Sequence, residues 1–309
     1  MGRESALEAT TNDYDRLCSV GPEIALHSSS MHNEVIHTNA HAYDSRKRGP
    51  VALEELRGLL KYRDLIYQLV RRDIVSRYKR SALGIGWTML NPLGMMVVLT
   101  IVFSQLFGTV RGYPAYVLSG LVAWNFFSQT TSAAMRQMVW GSTLLHRIYL
   151  PRTAFVVSAI GTGMVNLVLA LVPLFLIVVV VGLPLRWPVL FLPVAVLLLA
   201  AFSLGVGLLF SAWAIYFPDV AEMYDILLLG WLYMTPIIYP TDVIPETYRY
   251  WFFHLNPMYY LVEAFRQPVY AGVMPGPDIV IGAVLIAVLS LAFGWIVFSS
   301  RADEFTYRV

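Results

Sequence analysis

Asp219, Glu222 and Asp225 are the carboxylates whose spacing first suggests chemistry. An Asp-x-x-Glu-x-x-Asp series brings its members roughly onto one helix face. Paired carboxylates at a membrane surface are what a glycosyl transfer enzyme acting alone would require. The commoner use of such a cluster is a solvated helix cap or a contact with a partner. Asp13 and Asp15 have the Asp-x-Asp spacing of metal-dependent sugar transfer, but no catalytic domain surrounds them. His27, His32, His37 and His41 recur every four or five residues, yet no cysteine accompanies them as a metal ligand. The single cysteine, Cys18, excludes an intrachain disulfide and any multi-cysteine metal centre. No G-x-x-x-x-G-K-[ST] loop occurs, and the lysines are only Lys47, Lys61 and Lys79. The phosphate cradle of a P-loop ATPase is therefore absent from this chain. The residues predict no catalytic group, no metal site and no cofactor bound by the chain itself.

The elements around these residues are dominated by lipid-compatible runs. Of 309 residues, 57% are hydrophobic and 14% charged, against roughly 25% charged in a soluble domain. A helix needs about 20 apolar residues to cross a bilayer. Six runs qualify as predicted spans: 87–107, 115–135, 153–183, 187–217, a shorter one at 226–240, and 279–300. The expected fold is an all-α integral membrane protein with six transmembrane helices. Residues 1–50 read as a polar, disordered cytoplasmic tail, 51–83 as an amphipathic interface helix, and 84–309 as the transmembrane domain. Basic residues set the orientation. Twelve fall on the side of the termini and four, Arg111, Arg186, Arg249 and Arg266, on the other. Both termini are therefore expected in the cytoplasm. A net charge of +2 offers no basic field for nucleic acid.

Two segments flank the spans without fitting them. In the lead-in, Leu56, Leu59, Leu60, Ile66, Tyr67, Val70, Ile74 and Tyr78 fall on or near one helical stripe. This predicts a helix lying on the cytoplasmic leaflet, with Arg71, Arg72, Arg77, Lys79 and Arg80 at its basic end. Those charges suit anionic lipid, a phosphate-bearing substrate or a partner protein. Between Arg249 and Glu263 runs YWFFHLNPMYYLV, too short to cross and too apolar for an ordinary loop. With Pro245 and Pro257 it predicts two short re-entrant helices, in preference to an aromatic belt at the interface. Spans one, three, four and six contain no ionisable side chain. That argues against a proton- or sodium-driven transporter and against a voltage-gated channel, so uphill transport would need an outside energy source.

The run RDLIYQLVRRDIVSRYKRSALGIGWTMLNPL, from Arg63 to Leu93, resembles the entry signature of the permease subunits of polysaccharide-export ABC transporters. LLHRIYLPR, Leu144 to Arg152, resembles the same family's segment before span three. HLNPMYYLVEAFR, His254 to Arg266, resembles its N-P element before the last span. The resemblance extends from about Leu53 to the C-terminus; the tail lies outside it.

The resemblance implies a homodimer in a bacterial inner membrane, served by two separate ATPase subunits that bind the ATP and magnesium. It implies a polyprenyl phosphate or diphosphate carrier bearing the exported polymer, such as an O antigen, capsule or teichoic acid. The headgroup phosphate is then expected at Arg71, Arg72, Arg77, Lys79 and Arg80. Trp87, Trp124, Asn125, Phe126, Phe127, Tyr233 and Tyr239 are candidates for the glycan pathway. Pro245, Trp251, Phe252, Asn256, Pro257 and Tyr260 are candidates for an exit gate. Leu144, Leu145, His146, Arg147, Ile148 and Tyr149 form an apolar knob flanked by charge, expected to couple to the ATPase. Three alternatives remain at this point: a small-lipid or drug exporter of the same architecture, a standalone membrane glycosyltransferase, and a passive channel. Changing Ile148 and Tyr149 to aspartate should abolish co-purification of a partner ATPase while leaving the chain in the membrane. Retention of the ATPase by that variant would count against a coupling role.

Overall fold

The computed structural model describes residues 51–79, 84, 86–108, 110–140 and 152–301. Ten α-helices and no strand occur among the described residues. The lead-in comprises α1 (Val51–Lys61) and α2 (Arg63–Tyr78). Then come α3 (Gly86–Phe103), α4 (Tyr113–Trp140), α5 (Thr153–Val180) and α6 (Leu192–Tyr216), the last entered through a 3-10 turn at Trp187–Phe191. The chain continues as α7 (Val220–Met234), α8 (Glu246–His254), α9 (Pro257–Arg266) and α10 (Pro277–Arg301).

Four helices are long and apolar enough to cross a membrane: Gly86–Phe103, Thr153–Val180, Trp187–Tyr216 and Pro277–Arg301. The other two predicted spans depart from that pattern for different reasons. α4 has 28 residues, about 42 Å at 1.5 Å per residue, but it carries Ser119, Asn125, Gln129, Thr130 and Thr131 among its apolar positions. Those residues fit its place at the centre of the bundle, against α3, α5, α6, α7 and α9. α7 has 15 residues, about 22 Å, short of a roughly 30 Å hydrocarbon core. It begins six residues before the predicted span and stops at Met234, because Thr235 precedes Pro236 and is held extended.

The lead-in is two helices rather than one, with a turn at Tyr62 between them. Its apolar stripe is divided. Leu69 is buried, and Val70 lies against Gly161 of α5. Leu60 and Tyr67 face away from the chain, 72% and 68% exposed. The Thr153 hydroxyl donates to Glu55 at 2.6 Å, fastening α1 to the start of α5.

α6 and α10 approach most closely at two glycines. A Cβ on Gly294 would overlap the Gly205 carbonyl, and one on Gly205 would meet the backbone of Ser290 and Leu291. Ala283 and Ala287 extend this small-residue face along α10. Contacts of this kind replace the hydrophobic driving force that lipid does not supply between helices. One charge also moves relative to the sequence reading. Arg266 is buried inside the protein, 2% exposed, and so does not belong to an aqueous loop. Of the four basic residues that the sequence reading assigns to the side opposite the termini, three are then left, Arg111, Arg186 and Arg249. Replacing Gly294 by leucine should separate α6 from α10 and cost about 1–3 kcal/mol. Thermal unfolding of the purified chain in detergent would register that loss, and an unchanged midpoint would contradict the close packing.

Candidate functional site

Helical periodicity brings polar side chains from four helices onto one cavity of about 620 Å³. On α4, Val122, Asn125, Gln129, Ala133 and Gln137 line it at steps of three or four residues. On α5, Ala159, Thr162, Asn166 and Ala170 do the same. Trp87, Thr88 and Asn91 at the start of α3 form a third wall, and Asp73, Ser76 and Arg77 of α2 stand at one end. α4 and α5 can close this space because Gly163 meets the Thr130 methyl and the Phe126 ring, where a Cβ would not fit. The lining is graded along α4. It has a charged end at Arg77 and Asp73, an amide zone at Asn91, Asn125, Gln129 and Asn166, and an apolar end at Val122, Leu167 and Ala170.

Hydroxyls in this region satisfy their own helices. Thr130 donates to the Phe126 carbonyl at 2.6 Å, and Thr162 to the Ser158 carbonyl at 3.0 Å. Asn125 and Gln129 are different: their side-chain amides make no hydrogen bond to another side chain or carbonyl among the described residues. Each has a donor and an acceptor to offer.

The carboxylate of Asp73, which no local pattern in the sequence singles out, organises the mouth. Arg72 donates to Asp73 Oδ1 through Nη2 at 2.9 Å and Nε at 3.1 Å. Gln137 Nε2 donates to Asp73 Oδ2 at 2.7 Å. The Ser158 hydroxyl donates to Gln137 Oε1 at 3.2 Å. This chain joins α2 to α4 and α5. Of the five bases expected at a phosphate, Arg72 is thus engaged with Asp73, Arg71 and Lys79 are exposed, and Arg77 lines the cavity. Arg80 lies outside the described residues, as does the whole expected coupling knob from Leu144 to Tyr149.

The acidic series divides too. Asp225 accepts from Ser132 at 2.8 Å and from Arg136 at 3.1 Å, tying α7 to α4. Beside it the Tyr224 hydroxyl donates to Thr131 at 2.8 Å. Asp219 stands at the N-cap of α7 and Glu222 in its first turn, both exposed. Asp225 is therefore a contact between helices, and its neighbours decorate a helix start.

The expected pathway residues separate into three places. Trp87, Asn125 and Phe126 line the cavity. Trp124 and Phe127 are buried in an aromatic cluster with Phe202 and Trp231, at centroid distances of 5.3 to 6.1 Å, which fastens α4 to α6 and α7. Tyr233 is exposed, and the Tyr239 hydroxyl donates to its carbonyl at 2.9 Å.

The expected gate segment folds as α8 and α9. Pro245 precedes α8 as its N-cap, Trp251 is exposed, and Phe252 is half-buried. Tyr260 lies against Gly282 of α10. The N-P pair has a definite structural use. Asn256 caps α9 by accepting from the Met258 N–H at 3.1 Å, and Pro257 fills the first helical position. The same Asn256 accepts from Trp231 Nε1 at 2.8 Å and donates to Thr235 Oγ1 at 3.0 Å and the Met234 carbonyl at 3.2 Å. It clamps the broken end of α7 to the start of α9. Beyond the break, the Tyr113 hydroxyl donates to the Ile238 carbonyl at 2.8 Å, and the Tyr116 hydroxyl to the Tyr239 carbonyl at 3.0 Å.

Known transport proteins resemble this chain over most of its length. The family model for the ABC-2 type transporter matches residues 64–270. The O-antigen export system permease protein RfbA of Myxococcus xanthus is 29% identical over 256 residues, covering 82% of this chain and 98% of that protein. The polysialic acid transport protein KpsM of Escherichia coli is 26% identical over 223 residues, covering 67% of this chain and 80% of its own length. The capsule polysaccharide export inner-membrane protein CtrC of Neisseria meningitidis is 20% identical over 219 residues, with 68% and 81% covered. Matched across two thirds of its length, from the lead-in helix through α9 to the turn that follows it, this chain belongs to the ABC-2 type transporter family.

Proposed function

We propose that this chain is the membrane-spanning permease of an ATP-driven exporter that moves a polyprenyl-(di)phosphate-linked polysaccharide outward across a bacterial inner membrane. The cavity carries the reading. It runs from Arg77, a fork-shaped donor suited to phosphate, into a zone of uncharged amides suited to sugar hydroxyls. A hydrophobic drug would not require that amide zone. The relatives that export O antigen and capsule polymers support the same substrate class.

In this reading the chain crosses six times, with α4 and α7 completing the four strongly apolar helices and both termini cytoplasmic. Two copies form the transport unit, and two separate ATPase subunits supply the energy. No nucleotide or metal is held by the permease. The carrier phosphate docks near α2, the sugars enter along α4, and ATP binding moves the segment around Leu144 to Tyr149. That motion reaches the spans through α4, which precedes the segment in the chain. The α8 and α9 pieces dip into the outer leaflet as the exit gate.

Replacing Asn125 and Gln129 together by alanine should lower surface polysaccharide about tenfold, the loss expected for one to two hydrogen bonds of about 1 kcal/mol each. ATP hydrolysis by the assembled complex should persist. Undiminished export by this double variant, measured by surface labelling at equal membrane abundance, would remove the cavity from the pathway. A second check is Asp73→Ala, which releases Arg72 and unties α2 from Gln137. Export should fall with α2 displaced, and protease protection of the lead-in should decrease.

A further inference from the structure

Arg266 is the one charged residue among the described residues with almost no exposure, at 2%. Its position is set by the break in α7. Nη1 donates to the Pro236 carbonyl at 2.8 Å and to Glu263 Oε1 at 2.9 Å, and Nη2 reaches the Ile237 carbonyl at 3.4 Å. The guanidinium lies 3.9 Å from the centre of the Tyr116 ring. Gly120, one turn along α4, leaves the necessary space: a Cβ there would come within 2.5 Å of Nη2. One guanidinium thus touches α4, the non-helical stretch 235–240 and α9.

We propose that Arg266 is a positioning residue for transport, fixing the exit-side pieces to α4 so that a displacement of α4 carries them with it. The proposal rests on the exporter reading. A planar fork can serve two carbonyls and a carboxylate while its face stacks on Tyr116; an ammonium at the same place cannot. The contact resists breaking, because withdrawing either partner would leave an uncompensated buried charge. The opposite end of α4 is also attached, through more exposed contacts. Arg136 holds Asp225 of α7, and Gln137 holds Asp73 of α2. α4 is therefore attached at both ends, with its last residues leading towards the segment expected to meet the ATPase. Through Arg266 it reaches the stretch that follows α7 and the last turn of α9, and those groups shift as one body.

The test uses full-length wild type, Arg266→Lys and Gly120→Ala. Hydrogen exchange is followed over 235–245 and, separately, over α6 and α10 in the purified chains. Surface polysaccharide and ATP hydrolysis are followed with the partner ATPase present. Both variants should exchange about tenfold faster at 235–245 with α6 and α10 unchanged. Export should fall about tenfold while ATP hydrolysis is retained. Unchanged exchange at 235–245 overturns the attachment, whatever export does. Faster exchange with full export overturns the positioning role. Loss of protection throughout α6 and α10 in both variants would mean that Arg266 maintains the whole fold, which also overturns the proposal. If wild-type cells export no polysaccharide, the exporter reading fails on its own, and exchange still decides whether Arg266 fastens the break to α4.

Discussion

A helix that stops inside apolar surroundings leaves carbonyls with no water to accept from. α7 stops in this way at Met234, and much of the fold is arranged around the consequence. Thr235, Pro236, Ile237 and Ile238 are all buried, yet only some of their backbone groups find backbone partners. The missing donors come from side chains on other helices: Tyr113 and Tyr116 of α4, Asn256 before α9, and Arg266 at the end of α9. A break fed by so many separated residues is specified rather than tolerated. Its donors also account for Glu263, which accepts from Arg266 and from Gln267 and prevents the guanidinium from standing as an isolated charge.

The same economy governs the polar residues of α4. Thr130 and Thr131 turn their hydroxyls back onto the helix, Gln137 joins Asp73 to Ser158, and Ser132 and Arg136 hold Asp225. Subtracting these structural uses leaves Asn125 and Gln129 facing the cavity. A helix that looks too polar for a span by its average is thus two faces: one committed to its neighbours and one lining a space.

Much of this was legible in the chain. Charge-free runs located the long helices to within a few residues, since helix in lipid is set by length and apolarity. Pro245 and Pro257 marked the broken segment before the last span, while the significance of Pro236 showed only in the fold. The resemblance carried by Arg63 to Leu93 and His254 to Arg266 pointed to the family that residues 64–270 match. What could not be read were contacts across distance. Asp73 looked like one acid among bases, and only folding brings Gln137 to it from 64 positions away. Arg266 looked like a loop charge, because no local pattern reveals that Tyr116 and Gly120 make room for it. Trp124 and Phe127 shared the composition of their neighbour Phe126, but the helical turn directs them to the core and Phe126 to the cavity.

On the proposed export path, the amide zone would have a kinetic meaning. A carboxylate or guanidinium would bind one sugar pattern strongly and hold it there. Asn125 and Gln129 each both donate and accept, as does a sugar hydroxyl, so neither polarity of contact is preferred. For a polymer advancing unit by unit, such a wall presents a nearly level energy profile. Each step forms contacts about equal to those it breaks, and the chain slides without settling. Friction along such a path would be low, and the direction of travel would have to be imposed from outside the track.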